Sequence, residues 1–396
     1  MQKILVLNSG SSSIKVKIFN QKFVMILDAL LERIGQDGNM KIAWNNQTHE
    51  VKSHFSDHAI ALKTFLEFLK SKEIIKDLNQ EIIAIGHRVV MGGDVYKNPT
   101  LVNEDVLKTL EEISHLAPLH NPANLLGIKQ MQALVNKPNV IVCDTGFHQS
   151  LDAIKYLYPL PYRLFTDQKI RKYGMHGISY EYTVKQFIKK TKINKPSLII
   201  FHLGNGCSVS AIKDGLSFNT SMGLTPLAGL MMGTRSGDID PAIGTFLQRQ
   251  LNIGYEQVDN IFNKDSGLKG ISQISNDMRE IIALKDKGDK YCTLAFTMFV
   301  NRLVKFYCEY INDLDNKVDG IIFTGGIGYN SAAVINSFVE KIKISNLKLV
   351  KNWTNHYLGW EKISDHQSQF PLYISETNEE LEIAQQTMTL LEKKHE

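Results

Sequence analysis

The chain has 396 residues. A single hydrophobic core rarely supports a chain of this length, so two domains are expected. Its 45 basic and 41 acidic side chains nearly balance, and the resulting net charge of +4 excludes a strong general attraction for nucleic acid or an anionic membrane. Four scattered cysteines without metal-ligand spacing favour reduced thiols in a cytoplasmic protein. No apolar run has the length of a membrane span, and the short run after Met1 is not a signal peptide.

The chain opens with a predicted strand, a turn and a second strand. Four apolar residues at 4–7 predict a buried strand, and alternation of apolar residues with lysines over 14–18 predicts a half-exposed one. The small residues at 8–13 between them let a backbone approach an anion closely. The turn is therefore either an anion-binding loop or an ordinary serine-rich hairpin. It is not a Walker A loop, because a strand follows and Gly-Lys-Ser/Thr is missing.

Two charged residues follow predicted strands later in the first half. After an amphipathic helix predicted over 58–70, the buried strand 82–85 leads to Arg88. This arginine is either a ligand contact at a strand end or a surface residue beside a turn. The strand 139–143 leads to Asp144, a carboxylate suited to holding a metal ion, orienting an arginine or capping a turn.

Composition shifts near residue 148, where a domain boundary is predicted. His176 then lies between two glycines, a poor place for a core histidine, so a functional role is favoured. The strand, glycine turn and strand of the opening recur over 198–212, which suggests two halves built alike. The glycine-rich stretch 219–241 contains Arg235 and is too polar for a core element.

The last third is predicted to contain a helix beginning at 240–241, a long helix over 289–314 and a buried strand over 318–323. A third glycine turn follows that strand, then a helix from Asn330, an order that suits a nucleotide at a helix N-terminus. Thr377 and Glu380 have capping-box spacing at the start of the final helix. Glu380 thus has a structural explanation that Glu379 does not share.

These features favour phosphoryl transfer over other chemistries. Glycine turns, loop arginines and carboxylates position a transferring phosphoryl group and neutralise its charge together with Mg²⁺. A serine hydrolase is less favoured because no Gly-x-Ser-x-Gly elbow occurs, and a dehydrogenase because no G-x-G-x-x-G follows a strand.

The motifs together resemble the acetate kinase (acetokinase) family of the actin/Hsp70-like phosphotransferases. The matching segments occur in the family's order along essentially the whole chain: 7–15, 87–90, 116–124, 171–177, 202–206, 232–241, 323–328 and 377–381. The resemblance implies an α/β, two-domain, actin-like (ribonuclease H-like) fold with mixed five-stranded sheets flanked by helices and an active site in the inter-domain cleft. It implies a first domain of 1–147 plus 379–396, and a nucleotide-binding, dimer-forming domain of 148–378.

The implied activity is reversible, Mg²⁺-dependent transfer between ATP and acetate, giving acetyl phosphate and ADP by direct in-line transfer in a cytoplasmic homodimer. Mn²⁺ is an alternative metal, and neither nucleic acid nor membrane is an expected partner. Catalytic roles fall on four residues: Arg88 and Arg235 bind the carboxylate and the phosphoryl group, His176 hydrogen-bonds the transition state, and Asp144 positions Arg88 or the metal. Asn8 and Glu379 assist Mg²⁺.

The resemblance also assigns three groups of binding residues. The phosphoryl path is lined by Ser11, Ser13, Lys15 and His120. The nucleotide is held by His202, Asn205, Gly206, Asp277, Met278, Arg279, Gly326, Ile327, Gly328 and Asn330. The acyl methyl pocket is formed by Val90, Leu119, Met175 and Pro226.

Six positions depart from the family's usual residues, and none removes a proposed catalytic group. The family usually has His at Met91 and Tyr180, Phe at Met175, Asp at Asn219, and Glu at Ala228 and Tyr329. Methionine is adaptable, and one methylene changes binding in such a pocket by only about 1–3 kcal/mol. The choice between acetate and propionate stays open, with acetate favoured. A non-catalytic actin-like ATP-binding scaffold is the third hypothesis, and the retained catalytic residues argue against it.

Overall fold

A computed structural model describes residues 2–351, 353–354 and 359–393, and the chain divides into two compact units. The first unit comprises Met1–Gly146 and Asn378–Glu396, and the second unit comprises Phe147–Thr377. The first unit is thus discontinuous, because the chain returns to it with its last helix. Residue 1 and residues 394–396 of the predicted first domain lie outside the described residues.

A mixed sheet forms the centre of the first unit, with eight strands among its described residues. They are β1 (Lys3–Ser9), β2 (Ser13–Asn20), β3 (Met25–Glu32), β4 (Asn39–Trp44), β5 (Gln47–Lys52), β6 (Ile82–Val89), β7 (Thr100–Leu101) and β8 (Asn139–Cys143). Their order is β5-β4-β3-β2-β1-β6-β8-β7. Strands β1, β6 and β8 run parallel, so their carboxyl ends lie at one edge of the sheet.

Helices cover this sheet and explain why β1 is apolar over residues 4–7. The helices are α1 (His58–Ser71), α2 (Leu78–Glu81), α3 (Glu104–Glu112) and α4 (Asn121–Leu134), with a 3₁₀ turn at Ile113–Leu116. Leu5 and Leu7 pack in one core with α1 and α4, whereas Ile4 and Val6 point to the other face. The predicted helix over 58–70 is confirmed, and the Asp57 side chain caps it by accepting from the Ile60 amide.

The second unit has a six-stranded sheet within its described residues. Its strands are β9 (Leu198–Leu203), β10 (Cys207–Lys213), β11 (Leu216–Thr220), β12 (Gly320–Thr324), β13 (Trp360–Lys362) and β14 (Leu372–Ser375), in the order β11-β10-β9-β12-β14-β13. The run β11-β10-β9-β12-β14 has the same order and strand directions as β3-β2-β1-β6-β8. The expectation of two similarly built halves is confirmed.

The α/β two-sheet fold class is confirmed, but five strands per sheet is wrong as a total. Five strands are common to the two sheets. The sheet of the first unit has three additional strands, β4, β5 and β7, and the sheet of the second unit has one, β13. The extra strands are hard to predict, because β5 is polar and mostly exposed and β7 and β13 have only two and three residues.

Ten helices of the second unit lie in its described part. They are α5 (Ala153–Tyr156), α6 (Arg163–Gln168), α7 (Gly177–Thr191), α8 (Ala242–Leu251), α9 (Tyr255–Lys264), α10 (Gly267–Ser272), α11 (Met278–Asp286), α12 (Lys290–Asp313), α13 (Gly325–Asn330) and α14 (Ala332–Lys341). The predicted long helix is confirmed as α12. The predicted glycine turn after β12 is wrong: Gly325, with φ of +78°, lets the strand pass directly into α13. None of the helices in the described ranges combines the length and apolar composition needed to cross a bilayer.

The final helix, α15 (Glu379–Glu392), packs on β1, β6 and β8 of the first unit. Its N-cap is Asn378, whose side chain accepts from the Leu381 amide. The predicted Thr377–Glu380 capping box is therefore wrong. The Thr377 hydroxyl bonds to Ser179 instead, and Glu380 forms ion pairs with lysines of β2.

Candidate active site

Four predicted site residues of the first unit meet where its parallel strands end. Asn8 is next to last in β1, Arg88 is next to last in β6, and Asp144 follows β8 directly. The registers Leu7–His87 and Val89–Cys143 place these three positions side by side. Glu379 joins them as the first residue of α15.

Asp144 fixes the guanidinium of Arg88 with two hydrogen bonds. Arg88 donates from Nη2 to Asp144 Oδ2 at 2.5 Å and from Nε to Oδ1 at 3.3 Å. Its Nη1 lies 3.4 Å from Asn8 Oδ1, and its Nε lies 3.8 Å from Glu379 Oε2. Asp144 is almost fully buried, so this two-point pair sets the direction of the Arg88 side chain.

Burial and neighbouring charges oppose each other at this cluster. Burial alone would lower the pKa of Arg88, but the carboxylates of Asp144 and Glu379 outweigh it and raise the pKa. The guanidinium therefore stays protonated. Burial raises the pKa of Glu379 to about 7. Arg88 lowers this pKa, whereas Asp144 and Glu380 raise it further. The cations Arg88 and Lys15 therefore do not offset burial and the neighbouring carboxylates at Glu379, and a further cation there would stabilise its charged form.

The donor set at this cluster fits Mg²⁺. The Asn8 amide oxygen and the Glu379 carboxylate are hard oxygen donors. Across the described residues, no three or more His, Cys, Asp or Glu side chains are grouped to hold a metal ion. Mg²⁺ commonly takes one or two protein carboxylates and completes its shell with water and substrate phosphates. Two protein ligands are therefore compatible with a metal that arrives with a nucleotide.

The residues assigned to the phosphoryl path occupy different surroundings. Lys15 Nζ lies 2.8 Å from Glu380 Oε1, and this carboxylate raises the pKa of Lys15 although burial acts in the opposite direction. Ser11 is exposed in the turn after β1, Ser13 begins β2, and His120 is the N-cap of α4. Lys15 is thus held by α15, the helix that also supplies Glu379.

Two asparagines of α4 hold the strand ends at this cluster, and the sequence did not assign them a role. Asn124 accepts from the Val90 amide at 3.0 Å and donates to the Ser9 carbonyl at 2.7 Å. Asn121 accepts from the Met91 amide and donates to the Met91 carbonyl. Their one sequence signal is that two amides stand three residues apart, at the start of α4.

His176 and His202 form a stacked pair in the second unit. Their ring centroids are 4.1 Å apart with an interplanar angle of 26°. His176 precedes α7 with φ of +61°, a left-handed conformation that a non-glycine residue rarely adopts, and its Nδ1 lies 2.9 Å from Ser208 Oγ. His202 is within β9, and its Nδ1 lies 2.8 Å from Ser179 Oγ. Strain at His176 is typical of a functional position.

Arg235 carries its charge without a carboxylate partner among the described residues. Its Nη1 donates to the Pro226 carbonyl at 3.2 Å, and burial lowers the pKa of its guanidinium. A Cβ placed on Gly206 would lie 3.4 Å from Arg235 Nη1 and 3.7 Å from His176 Nε2. The glycine turn, the arginine and the histidine therefore converge, and the arginine favours an anion there.

A cavity of about 900 Å³ lies within the second unit near this turn. Seven of the ten predicted nucleotide-binding residues line it, while His202, Gly206 and Gly328 are not among its lining residues. The full lining is Gly204, Asn205, Asn276, Asp277, Met278, Arg279, Ile282, Gly326, Ile327, Asn330, Ser331, Ala332 and Ala333. Backbone, amide and small apolar groups of this kind suit a nucleotide.

The four predicted acyl-pocket residues divide between the units. Val90 of the first unit is 6% exposed, and Leu119 is 65% exposed. In the second unit Met175 is buried and Pro226 is half-buried. The Met175 carbonyl lies 3.0 Å from Nε2 of the buried His148, which fixes the backbone beside His176.

Asn219 and Tyr329, two positions predicted to depart from the family's usual residues, have clear local roles. Asn219 donates its amide to Asp313 at 2.8 Å and to Glu309 at 3.3 Å, and accepts from Lys172. An aspartate there would face two carboxylates. The Tyr329 hydroxyl accepts from the Gly359 amide at 2.7 Å, so it holds backbone beside α13.

Comparison with known proteins gives consistent matches over nearly the whole chain. The model of the Acetokinase family matches residues 3–385. Acetate kinase of Mycoplasma mycoides subsp. mycoides is 42% identical, covering 98% of this chain and 100% of that protein. Acetate kinase of Pseudothermotoga lettingae is 44% identical, covering 98% of each.

Two solved structures are similar throughout. A propionate kinase from Francisella tularensis subsp. tularensis has a TM-score of 0.93 and 37% identity, covering 98% of this chain and 100% of that one. Porphyromonas gingivalis acetate kinase has a TM-score of 0.93 and 34% identity, covering 99% and 100%.

Proposed function

Because the chain belongs to the acetokinase family, we propose that it catalyses reversible phosphoryl transfer between ATP and acetate, giving ADP and acetyl phosphate. The observation that carries this proposal is the Arg88–Asp144 pair beside Asn8 and Glu379 at the ends of three parallel strands. Such an arrangement supplies a fixed cation and oxygen ligands, which phosphoryl transfer requires.

The chain's own residues act by positioning and charge neutralisation. Asp144 holds Arg88, and Arg88 and Arg235 bind the carboxylate and the transferring phosphoryl group. His176 donates a hydrogen bond to phosphoryl oxygens as their charge rises in the in-line transition state. Asn8 and Glu379 would hold Mg²⁺ (or Mn²⁺), which when bound neutralises phosphate charge. The cavity lined by Asn205, Arg279 and their neighbours takes the nucleotide, and no phosphoenzyme is needed.

The main test is ATP formation from acetyl phosphate and Mg-ADP. Arg88→Ala and Arg235→Ala are each expected to lower turnover by roughly 10³-fold, by analogy with arginines that stabilise phosphoryl transition states. Arg33→Ala is the matched control, because this surface arginine pairs with exposed Asp37. Near-wild-type turnover in either arginine variant would contradict the assigned roles. Nucleotide binding without any transfer would identify a non-catalytic scaffold instead.

Propionate is the alternative acyl substrate, and the similarity to a Francisella tularensis propionate kinase favours testing it. The pocket residue Met175 is unbranched and can shift to admit one more methylene. That methylene changes binding by about 1–3 kcal/mol in an apolar pocket. Steady-state kcat/KM with the two acids decides the question, and a clear preference for propionate would replace acetate in the proposal.

The active form is proposed to be a cytoplasmic homodimer that uses the second unit, with no nucleic acid or membrane partner. Helix α8 supports this, because none of its residues is buried and two of them are apolar side chains that are largely exposed: Phe246 is 59% exposed and Leu251 is 57% exposed. Nearby in sequence, Tyr255 of α9 is 72% exposed. Apolar surface of this kind is typical of an interface. Sedimentation equilibrium should give twice the chain mass, and a monomer would contradict the proposal.

A further inference from the structure

The Nδ1 atom of His176 ends a chain of three hydrogen-bonded groups. The Tyr180 hydroxyl lies 2.5 Å from Ser208 Oγ, and Ser208 Oγ lies 2.9 Å from His176 Nδ1. Tyr180 lies one turn after His176 on α7, and Ser208 lies on β10, two residues after Gly206. Both Tyr180 and Ser208 are completely buried, so water does not compete for these bonds.

The chemistry of the two hydroxyls sets the direction of the chain. A phenol is a better donor and a poorer acceptor than an aliphatic hydroxyl. Burial also raises the pKa of Tyr180, so its proton stays on the oxygen. Within the described residues, Ser208 is the hydrogen-bond partner of the Tyr180 hydroxyl. The reverse direction would leave the phenol proton buried without an acceptor there, at a cost of about 1–3 kcal/mol.

The direction of the chain fixes the proton on the imidazole. When Tyr180 donates to Ser208 Oγ, the serine proton points to His176 Nδ1, which must then accept. A neutral imidazole with an accepting Nδ1 carries its proton on Nε2. The Nε2 atom lies on the side near Gly206 and Arg235, where a Cβ on Gly206 would be 3.7 Å away.

We propose that Tyr180 is a positioning residue for phosphoryl transfer, and that through Ser208 it holds His176 in the tautomer that presents an Nε2 hydrogen-bond donor. This inference rests on the proposed function for its kinetic consequence, but not for the tautomer itself.

The tautomer of His176 determines which of its ring nitrogens can donate a hydrogen bond toward an anion. His202 stacks on its ring at 4.1 Å, and the Cε1–Nε2 edge of the ring and Arg235 Nη1 both lie against Gly206. A neutral ring can donate toward an anion from only one nitrogen, and the Tyr180–Ser208 chain selects it.

The tautomer can be measured directly in the ligand-free protein. In protein labelled with ¹⁵N-histidine, nitrogen shifts of His176, assigned by comparison with His176→Gln, should report Nε2 protonation. Tyr180→Phe keeps the ring packing and should give a mixture of tautomers, because the Ser208 proton is then free to rotate. An unchanged tautomer in Tyr180→Phe, or Nδ1 protonation in the wild type, would overturn the proposal.

The kinetic test is a double-mutant cycle on ATP formation from acetyl phosphate and Mg-ADP. We expect kcat to fall about 10-fold in Tyr180→Phe and about 10²-fold in Ser208→Ala, with KM for ADP within about twofold of wild type. Because Tyr180 acts through Ser208, the double variant should match Ser208→Ala. Losses that multiply would show independent roles and overturn the relay.

A matched control separates the relay from loss of any buried tyrosine hydroxyl. Tyr307→Phe removes a hydroxyl that bonds to Ser345 at 2.9 Å in the same unit, and it should leave kcat and the His176 tautomer unchanged. An inactive wild type with the predicted tautomer pattern would refute the proposed function alone. An active enzyme with an unchanged tautomer in Tyr180→Phe would refute this inference alone.

Discussion

The two proposed catalytic arginines have opposite electrostatic surroundings. Arg88 is held by Asp144 at two points and lies 3.8 Å from Glu379. Arg235 has a backbone carbonyl as partner, no carboxylate among the described residues, and a pKa lowered by burial. Arg88 is therefore oriented before substrate binds, whereas the charge of Arg235 is most strongly stabilised once an anion arrives.

Asp144→Asn tests whether the orientation of Arg88 matters for catalysis. The change keeps the side-chain size but removes the charge, so the guanidinium is free to move toward Glu379. We expect kcat/KM for acetyl phosphate to fall by about 10²-fold, comparable to the loss of one transition-state donor. Asp28→Asn is the control, because Asp28 likewise pairs with a cation of the first unit, a lysine, but is partly exposed. Equal kinetics in the two variants would contradict a positioning role for Asp144.

At the scale of elements, the sequence predicts best where one physical effect dominates. The continuous apolar run at 140–143 has no other stable place than a buried strand, and it forms most of β8. The start of α15 was mispredicted because two good capping residues, Thr377 and Asn378, stand side by side. Asn378 caps the helix, since the Thr377 hydroxyl is used by Ser179, a contact that depends on tertiary packing.

In the candidate site, the sequence predicts the reactive side chains but not the partners that hold them. Charged residues after buried strands indicate Arg88 and Asp144, but the sequence allows three roles for Asp144, and its two bonds to Arg88 favour the role of orienting the arginine. The Tyr180–Ser208 link could not be predicted, because residues 28 positions apart meet only when α7 packs beside β10. Local patterns identify reactive groups, whereas their partners depend on packing between elements.

Gly86→Ala tests how closely α15 must lie on the sheet. A Cβ on Gly86 would approach Thr387 Oγ1 at 2.6 Å and Ile383 Cγ2 at 2.7 Å, so the helix that begins with Glu379 must shift. We expect a loss of about 1–3 kcal/mol in the free energy of unfolding, typical of overpacking, and a fall in activity. Denaturant melts and initial rates measure the two effects.

A second substitution provides the control for Gly86→Ala. The buried Thr387 hydroxyl has no hydrogen-bond partner in the described part of the chain, so Thr387→Ala alone should change stability little. Combined with Gly86→Ala, it removes one of the two close approaches and should recover part of the lost stability. A Gly86→Ala protein as stable and active as wild type would show that α15 is not held by this contact.

At the scale of the whole molecule, each unit contains a buried histidine that is neutral at physiological pH. His87 of β6 lies 2.7 Å from Asn139 Oδ1 in the first unit. His148 of the second unit bonds to Ser217 and to the Met175 carbonyl. Burial lowers the pKa of each imidazole to about 4, against an ordinary value of 6.5. Both units should therefore respond to mild acid.

The stability of the protein should fall as the pH is lowered from about 6.5 to about 4. In this window the unfolded chain binds a proton at each of these histidines while the native state does not, so each one favours unfolding by about 3 kcal/mol at the lower end. Above pH 6.5 both states are neutral at these positions and the contribution is constant. Denaturant midpoints measured across this range give the slope.

Comparison of wild type with His87→Gln and His148→Gln isolates this contribution. Glu379 acts in the opposite direction, because its raised pKa of about 7 lets the native state bind a proton before the unfolded chain does. Its effect is common to wild type and variants and cancels in the difference. Each variant should therefore lose less stability than wild type between pH 6.5 and pH 4. Parallel curves would mean that the two imidazoles are already protonated, or reached by water, in the native protein.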